Sequence, residues 1–460
     1  MLALPKRAAM LVTGIAAVGL SACTPTPASH QDETILVLSR ADYVSRLHGF
    51  WLGQSIGNWT GLVTEMDKIG GDGPHGVFYT RADWGQPDQP AIWGEGQPSD
   101  ISPVIDFVLR RPGETWGADD DTDIEYLYQE ALYHSDATAL TGEMIRDAWL
   151  THIYDEREET PYGRDGEVWQ NYLWVSNQRA HELMLEGVIP PATGNAQYNP
   201  HTDMIDAQLT TEIFGLYAPG RPDIARELGH LPVQTTARGA AEDAALFYIT
   251  LHALAARSEP GTAMAEQVRA MAFQARETLR DDDYPAAMFD FVAAAHASGQ
   301  PWEDTRDALY ERYQVRGEDG YDISERGLYC NGCFASGINF GASLISLFYG
   351  EGDIRETIRI ATLAGWDSDN PAATWGGLLG FMLGRDGVEA AFGMPLSEEF
   401  DIHRTRRSFP NSGRDTFTAM AEKGQAITER VVLTRLGGRL SDDGLSWIIP
   451  MPGPTEPRDG

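Results

Sequence analysis

Two stretches of the chain set several oxygen-donating side chains within a few residues of one another, where helices are predicted to begin. Residues 119–122 read Asp-Asp-Asp-Thr, and residues 367–371 read Asp-Ser-Asp-Asn-Pro. Three consecutive carboxylates repel one another unless water solvates them or a cation bridges them. Because hard divalent cations prefer carboxylate and amide oxygens, each stretch is a candidate half of a metal site.

Helix capping is the alternative interpretation, since acidic residues favour helix starts through the helix dipole. Asn370 is a good N-cap and Pro371 suits the first helical position, which predicts a helix from Pro371 onwards. Thr122 and Glu125 fit a capping box, which predicts a helix start at Asp123. Capping alone would account for either stretch, apart from one of the three consecutive aspartates.

A helix predicted from about Arg40 to Thr64 has a glycine at every fourth position on one side, namely Gly49, Gly53, Gly57 and Gly61. Each interior glycine costs about 1 kcal/mol relative to alanine, so that four of them need a structural reason. Small residues four apart form a smooth ridge on which another helix can lie very close. The helix after Pro371 has a second ridge, made of Ala373, Gly377, Gly380 and Gly384. We expect the two ridges to pack together and to bring Glu65 close to residues 367–370.

Most of the remaining chain is predicted to be helical, because apolar residues recur at three- and four-residue steps. Alternating strand patterns are nearly absent, and 42% hydrophobic with 22% charged residues is typical of a globular protein. Residues 66–100 are predicted to be a long loop whose aromatic residues either stack on a ligand or hold the loop down by packing. Further helices are predicted over residues 142–153, 170–186, 204–217, 222–228, 240–256, 262–279, 284–298, 302–313 and 414–436.

The chain of 460 residues is strongly acidic, with 35 Lys and Arg residues against 68 Asp and Glu residues and a formal charge of −33. Such a surface disfavours nucleic acids and anionic membranes as partners. Cys330 and Cys333 form a single C-x-x-C pair, which is a weak zinc signal without a second pair. A local disulfide and two free thiols both fit this spacing, and no chemistry is assigned to the pair.

The first 22 residues have the layout of a signal peptide, with a basic region followed by an apolar region. Residues 20–23, Leu-Ser-Ala-Cys, resemble a bacterial lipobox, which predicts cleavage before Cys23 and a lipid on its sulfur. An uncleaved anchor and simple secretion are the alternatives. We expect a protein of the bacterial cell envelope, on the outer-membrane or periplasmic side, that contacts the membrane only through the lipid on Cys23. The chain is thus predicted to consist of a signal peptide (1–22), a flexible linker (23–38), one main domain (39–450) and a Pro-rich tail (451–460).

Three ordered motifs resemble those of the ADP-ribosylglycohydrolases, the family that includes dinitrogenase-reductase-activating glycohydrolase. Residues 57–65, Gly-Asn-Trp-Thr-Gly-Leu-Val-Thr-Glu, resemble the family's G-D-x-x-G-x-x-x-E. Residues 119–122 resemble T-D-D-T, and residues 365–370, Gly-Trp-Asp-Ser-Asp-Asn, resemble G-G-D-T-D-T. Residues 208–222 and 347–353 are similar to a branch of the same superfamily. The resemblance covers roughly residues 40–450.

This resemblance implies an all-α fold in a single large compact multi-helix domain that holds two magnesium ions, or manganese in some members. It implies hydrolysis of the bond between the anomeric carbon of ADP-ribose and a protein side chain or small acceptor. Glu65 matches the glutamate near the scissile ribose and is the candidate catalytic residue. The residues that match the family's metal ligands are Asp119, Asp120, Asp121, Asp367, Asp369 and Asn370.

Three departures from the family's motifs bear on the predicted site. Asn58 replaces an aspartate, Asp119 replaces a threonine, and Asn370 stands at the last Thr or Ser ligand. Most oxygen ligands remain, so we expect a metal-dependent glycohydrolase in the cell envelope whose binuclear magnesium site activates water and orients the ribose. Its substrate would be an ADP-ribosyl bond or a related glycoside or nucleoside, on a small molecule or an ADP-ribosylated protein. A non-catalytic metal- or ligand-binding protein with the same fold is the alternative.

Overall fold

The computed structural model describes residues 34–94, 96–259, 261–321, 330–402 and 406–452. The predicted signal peptide, the predicted lipid site at Cys23 and residues 453–460 of the predicted tail lie outside these ranges. Among the residues that are described, no helix is both long enough and apolar enough to cross a membrane.

Helix α1 (Arg40–Gly61) packs along helix α13 (Asp369–Phe392) so closely that their backbones touch. A Cβ atom added at any of the four ridge glycines of α1 would overlap backbone atoms of α13. Protein interiors leave no room to absorb such an overlap without moving the helices apart. The predicted packing of two small-residue ridges is therefore confirmed, and it accounts for the four interior glycines.

The ridge on α13 uses a different set of residues from the predicted one. Gly53 faces the backbone of Gly376 and Gly380, whereas Gly377 faces the ring of Phe50. The contacting residues of α13 are four apart, as on α1, so that both helices present their i±4 ridges. The predicted ridge mixed steps of three and four residues. Its second member, Gly377, was wrong, and Gly57 lies against the backbone of both Ala372 and the predicted Ala373.

The described part of the chain contains twelve further α-helices. They are α2 (Asp120–Ser135), α3 (Gly142–His152), α4 (Val175–Leu185), α5 (Ile213–Leu216), α6 (Pro222–Val233), α7 (Ala240–Ala255), α8 (Met264–Arg276), α9 (Tyr284–Ala297), α10 (Trp302–Tyr310), α11 (Ser336–Tyr349), α12 (Ile354–Ala364) and α14 (Phe417–Thr434). Residues 35–451 form one compact unit. The predicted all-α fold in a single large multi-helix domain is confirmed.

The strands of the described residues are short and lie in three small sheets. They are β1 (Ile35–Ser39), β2 (Trp116–Gly117), β3 (Arg164–Asp165), β4 (Val168–Trp169), β5 (Glu399–Asp401), β6 (Arg414–Thr416), β7 (Arg439–Leu440) and β8 (Ser446–Pro450). Strand β8 lies between β1 and β7 and pairs antiparallel with both. Residues 35–38, the end of the predicted linker, therefore belong to a sheet.

Residues 204–217 do not form the single helix that was predicted. They contain a 3-10 turn (Ile205–Ala207) and, after an irregular stretch, the one-turn helix α5. The side chain of Glu212 accepts a hydrogen bond from the backbone N–H of Thr211 at 3.1 Å. That N–H would bond to a backbone carbonyl in a continuous helix, so the carboxylate competes with helix formation.

The aromatic residues of the long loop pack mainly against the protein. Phe78 lies against Trp366, with ring centroids 4.7 Å apart, and Trp84 lies against Phe107 at 4.8 Å. Trp93 stacks on Phe334 at 6.3 Å and is 48% exposed. Packing therefore accounts for Phe78 and Trp84 without a ligand.

Candidate metal centre

Asp119 caps helix α2, which begins at Asp120. The Asp119 carboxylate accepts a hydrogen bond from the backbone N–H of Asp121 at 3.2 Å. The predicted start at Asp123 is wrong, because the Glu125 side chain of the expected capping box is engaged elsewhere in the core. The three consecutive aspartates therefore occupy the N-cap and the first two helical positions.

The second acidic stretch precedes helix α13, which begins at Asp369 rather than at Pro371. Asn370 is thus inside the first turn and is not the N-cap. The hydroxyl of Ser368, at the N-cap position, donates to the carbonyl of Gly61 at 3.0 Å and lies 3.0 Å from the Thr64 hydroxyl. These contacts join the start of α13 to the end of α1.

The backbone around Glu65 is bonded to the turn that carries Asp367. The N–H of Met66 donates to the carbonyl of Trp366 at 2.9 Å, and the N–H of Trp366 donates to the carbonyl of Lys68 at 2.7 Å. Trp366 has a φ of 57°, which is uncommon for a residue other than glycine. The fold thus places Glu65 beside the second acidic stretch.

Five of the seven residues predicted for the site come together in two groups of three carboxylates. Within each group one oxygen of every carboxylate lies within 4.8 Å of the others. One group is Glu65, Asp367 and Asp369, and the other is Asp119, Asp121 and Asp369. Asp369 belongs to both groups, and we call the whole set the acidic cluster.

Two predicted site residues lie outside these triads of carboxylates. Asp120 follows Asp119 on α2 and belongs to neither group. The buried ion pair of Arg406 with Asp123, at 2.9 Å, is nearby, and Arg406 opposes the rise in the pKa of Asp120. Asn370 has no exposed surface.

Burial and mutual repulsion govern the protonation of the acidic cluster. Burial is the largest cause that raises the pKa of Glu65, and the charges of Asp369 and Asp119 add to it. Burial followed by Asp369 likewise raises the pKa of Asp367 and of Asp121. Because like charges within a few ångströms oppose ionisation, a cation between these carboxylates would favour their charged forms.

Several oxygen atoms of the site accept no hydrogen bond from the protein. They include Oδ1 of Asp121, Oδ1 of Asp369 and Oδ1 of Asn370. All three residues are at most 5% exposed, and buried polar atoms normally have partners. The donor set consists of carboxylates and an amide, which suits a hard divalent cation.

Asn58 holds the carboxylates of the α2 start. Its Nδ2 donates to Asp119 Oδ1 at 2.9 Å and to Asp121 Oδ2 at 3.2 Å. Asp121 is thereby left with Oδ1 for another partner. The sequence indicated Asn58 only as a departure from a motif, and its role as a donor depends on the packing of α1 against α2.

The chain matches a known protein family over most of its length. The model of the ADP-ribosylglycohydrolase family matches residues 39–431. The chain belongs to the ADP-ribosylglycohydrolase family. Membership supports a glycohydrolase, and the family acts on small-molecule or ADP-ribosylated substrates.

The chain is also similar to solved structures. One of them, described as an ADP-ribosylglycohydrolase-related protein complex, has 15% identity and a TM-score of 0.44. The alignment covers 85% of this chain and 99% of that one. No curated protein matches the chain.

A second layer of polar side chains lies one helical turn below the acidic cluster. Gln54 Nε2 donates to Glu125 Oε2 at 2.5 Å, and the N–H of Ile213 donates to Glu125 Oε1 at 2.7 Å. Thr374 Oγ1 donates to Glu212 Oε1 at 2.6 Å. The layer therefore connects α1, α2 and α13 through the segment before α5.

Sequence reasoning missed this layer, although a signal for it exists. Gln54 precedes Asn58 by four residues, Glu125 follows Asp121 by four, and Thr374 follows Asn370 by four. Residues four apart lie on the same face of a helix. Asn58, Asp121 and Asn370 therefore each indicate a polar neighbour one helical turn away from the acidic cluster. Nothing comparable in the sequence indicates Glu212, which comes from an irregular segment.

Proposed function

We propose that the acidic cluster binds two divalent cations, magnesium with manganese as a substitute, and that the chain hydrolyses a glycosidic bond. The two carboxylate triads that share Asp369 carry this proposal. A carboxylate that belongs to two triads is placed as a bridging ligand would be in a two-metal site. Family membership supports the reaction class.

Each cation has a defined set of residues that would hold it. Asp119, Asp121 and Asp369 would hold one, and Asp367 and Asp369 would hold the other, with Glu65 beside them as the proton-transfer group. The amide oxygen of Asn370 is available as a further ligand because it accepts no hydrogen bond. When bound, such ions activate water and orient the hydroxyl groups of the ribose.

Glu65 is the candidate acid or base of the reaction. It is half-buried, whereas Asp367 and Asp369 are buried. Its raised pKa suits a group that either gives a proton to the leaving group or takes one from water. The two roles predict opposite changes of activity with pH. An acid becomes inactive above its pKa, whereas a base becomes inactive below it.

A titration of the full-length protein in detergent tests the metal site. Isothermal calorimetry with Mg²⁺ and Mn²⁺ should give two ions per chain, and about one ion for Asp121→Asn or Asp367→Asn. Asp369→Asn should weaken both sites, because its carboxylate belongs to both triads. Asp290→Asn removes an exposed carboxylate of α9 and should bind as the wild type does. Unchanged binding in Asp369→Asn would overturn the assignment.

The substrate class is tested by comparing ADP-ribosyl-arginine, ADP-ribosyl-serine and simple glycosides as substrates with magnesium present. We expect hydrolysis of at least one class, and its loss in Glu65→Gln with metal binding retained. Activity equal to that of the wild type would remove Glu65 from the mechanism. Metal binding without hydrolysis of any of these compounds would favour a non-catalytic binding protein.

We also propose that Cys23 carries a lipid that tethers the protein in the bacterial envelope. The lipobox-like sequence before Cys23 supports this location. Labelled palmitate should be incorporated into the wild type and not into Cys23→Ala. Wild-type protein recovered without label in the soluble fraction would overturn the tether.

A further inference from the structure

The turn closed by the Cys330–Cys333 disulfide is connected by hydrogen bonds to the segment that follows Glu65 and, through Asn339, to the segment that carries Asp367. Asn331, inside the turn, donates from Nδ2 to the carbonyl of Ile69 at 3.2 Å. Ile69 follows Glu65 by four residues, so this bond joins the turn to the segment that carries Glu65. The second connection runs through Asn339 to the segment that carries Asp367.

Asn339 is fully buried on helix α11, and its side chain has a single possible orientation. Nδ2 donates to the carbonyl of Cys333 at 2.7 Å and to the carbonyl of Ala335 at 3.0 Å. Oδ1 accepts the backbone N–H of Asp367 at 3.2 Å. Turning the amide over would place its oxygen against two carbonyls and its N–H₂ against the N–H of Asp367.

We propose that Asn339 is a positioning residue for Asp367, and that the Cys330–Cys333 disulfide fixes the carbonyl that orients Asn339. Metal affinity at the triad of Glu65, Asp367 and Asp369 therefore depends on an intact disulfide. This inference rests on the proposed metal-binding function. It assigns a role to two cysteines that the reaction itself does not use.

The disulfide acts by limiting the conformations of the turn. A cross-link between residues three apart leaves the carbonyl of Cys333 few directions to point. Without the cross-link, Nδ2 of Asn339 loses a fixed acceptor and Oδ1 no longer holds the N–H of Asp367 in place. Groups that orient a metal ligand typically affect metal affinity about 10–100-fold.

The first measurement needs no metal. Hydrogen–deuterium exchange of residues 364–370 is followed in the metal-free, full-length protein in detergent. Dithiothreitol supplies two electrons and two protons, the S–S bond becomes two thiols, and the reagent becomes its cyclic disulfide. We expect faster exchange after reduction of the wild type, and without reduction in Asn339→Ala and in the double variant Cys330→Ala with Cys333→Ala.

The second measurement is Mn²⁺ affinity, read by calorimetry and by the electron paramagnetic resonance of the bound ion. The same variants and the reduced wild type should bind one of the two ions about 10–100-fold more weakly. The double cysteine variant should not respond to dithiothreitol. Ser343→Ala, a buried polar residue one turn further along α11, should keep the wild-type affinity and exchange.

Unchanged exchange of residues 364–370 in both the reduced wild type and Asn339→Ala would overturn the positioning role, whatever the protein does with metal. Faster exchange along all of α11 and α13, with a fall in melting temperature, would reduce Asn339 to a general structural residue and also contradict the inference. A wild type that binds no Mn²⁺ would overturn the proposed function and with it the metal dependence. Hydrogen–deuterium exchange of residues 364–370 would still show whether Asn339 holds the backbone of Asp367 in place.

Discussion

Asn58 Nδ2 lies 2.9 Å from Asp119 Oδ1. Asn58 is the departure from the family pattern in the first motif and Asp119 is the departure in the second, so the two departures contact each other. Asn58 stands where the motif has an aspartate, and Asp119 stands where it has a threonine. The negative charge has in effect moved across one hydrogen bond. The same amide also donates to Asp121, which makes Asn58 the link between α1 and the start of α2.

The contact predicts that a reciprocal exchange is better tolerated than either single change. Asn58→Asp removes two hydrogen-bond donors and adds a third carboxylate beside Asp119 and Asp121. This change should lower the free energy of unfolding of the metal-free protein by about 1.5–3 kcal/mol. The double variant Asn58→Asp with Asp119→Asn restores an amide facing a carboxylate. We expect it to recover most of that loss in urea unfolding monitored by circular dichroism.

Asn58→Ala removes the donors without adding charge, so its loss of stability should be smaller than that of Asn58→Asp. If the two single changes add within about 0.5 kcal/mol in the double variant, the residues are not coupled and the interpretation fails.

The helical periodicity of α1 and its glycine spacing were sufficient to predict the close contact with α13. They were sufficient because four interior glycines at one spacing, each costing stability in an isolated helix, are offset when a second helix lies directly against them. Which residues of α13 face α1 was not predictable, since Gly376 and Gly377 are adjacent and either could face α1. Only the crossing of the two backbones decides between them.

Helix starts were predicted less well, because several residues at each start could act as the cap. Asp119, rather than Thr122, caps α2, since Glu125 is drawn into the layer with Gln54. Long-range partners of this kind cannot be inferred from local motifs. Asn339 was missed for the same reason, as its partners are distant in sequence.

The backbone contact of α1 and α13 predicts a large cost for one added methyl group. Gly53→Ala would place a Cβ atom against the backbone of Gly376, which cannot rotate away as a side chain can. We expect a loss of about 1–3 kcal/mol or more in unfolding free energy. The melting temperature from differential scanning calorimetry measures this effect.

Gly387→Ala is the control for the Gly53 substitution. The three nearest atoms to its Cβ would all belong to Leu383 of the same helix, with the Leu383 Cβ atom at 2.9 Å, so a small local shift relieves the contact without moving α1 from α13. Relief of the glycine penalty offsets part of that shift, and we expect a loss of less than about 1 kcal/mol. Equal destabilisation by both alanines would contradict the proposed backbone contact.

The buried pair of Glu125 and Glu212 predicts a stability that falls with rising pH. Burial raises the pKa of Glu212 to about 7, and burial followed by Glu212 raises that of Glu125. The native state therefore holds protons that the unfolded state releases, since an unfolded Glu has a pKa of about 4.3. The extra stability is complete below that value and is lost as pH rises through about 7.

Glu125→Gln keeps the shape of the side chain and removes one of the two titrating groups. Its unfolding free energy should fall less between pH 5 and pH 8 than that of the wild type does, because one buried proton fewer is released. Glu143→Gln, an exposed change on α3, should leave the profile as it is. Parallel profiles for wild type and Glu125→Gln would exclude a buried proton at this pair.

The ion pair of Arg406 and Asp123 predicts a strong effect at a distance from the acidic cluster. Both side chains are fully buried, and Arg406 also donates to the carbonyl of Asn171 at 3.2 Å. Arg406→Met leaves the carboxylate of Asp123 buried without its cation, so we expect a loss of about 3–5 kcal/mol in urea unfolding. Arg407→Met breaks a partly exposed pair with Glu158 and a cation–π contact with Tyr154, and it should cost no more than about 1–2 kcal/mol.

A second effect of Arg406→Met should appear in metal binding. Because Arg406 opposes the rise in the pKa of Asp120, its loss should let Asp120 keep a proton to higher pH. The charge of Asp120 acts on Glu65 and Asp367, so a proton on Asp120 makes the acidic cluster less attractive to a cation. Mg²⁺ affinity should then fall more steeply on acidification than in Arg407→Met. Calorimetric titrations at pH 6 and pH 8 measure the difference, and identical pH dependence in the two variants would show that Arg406 serves stability alone.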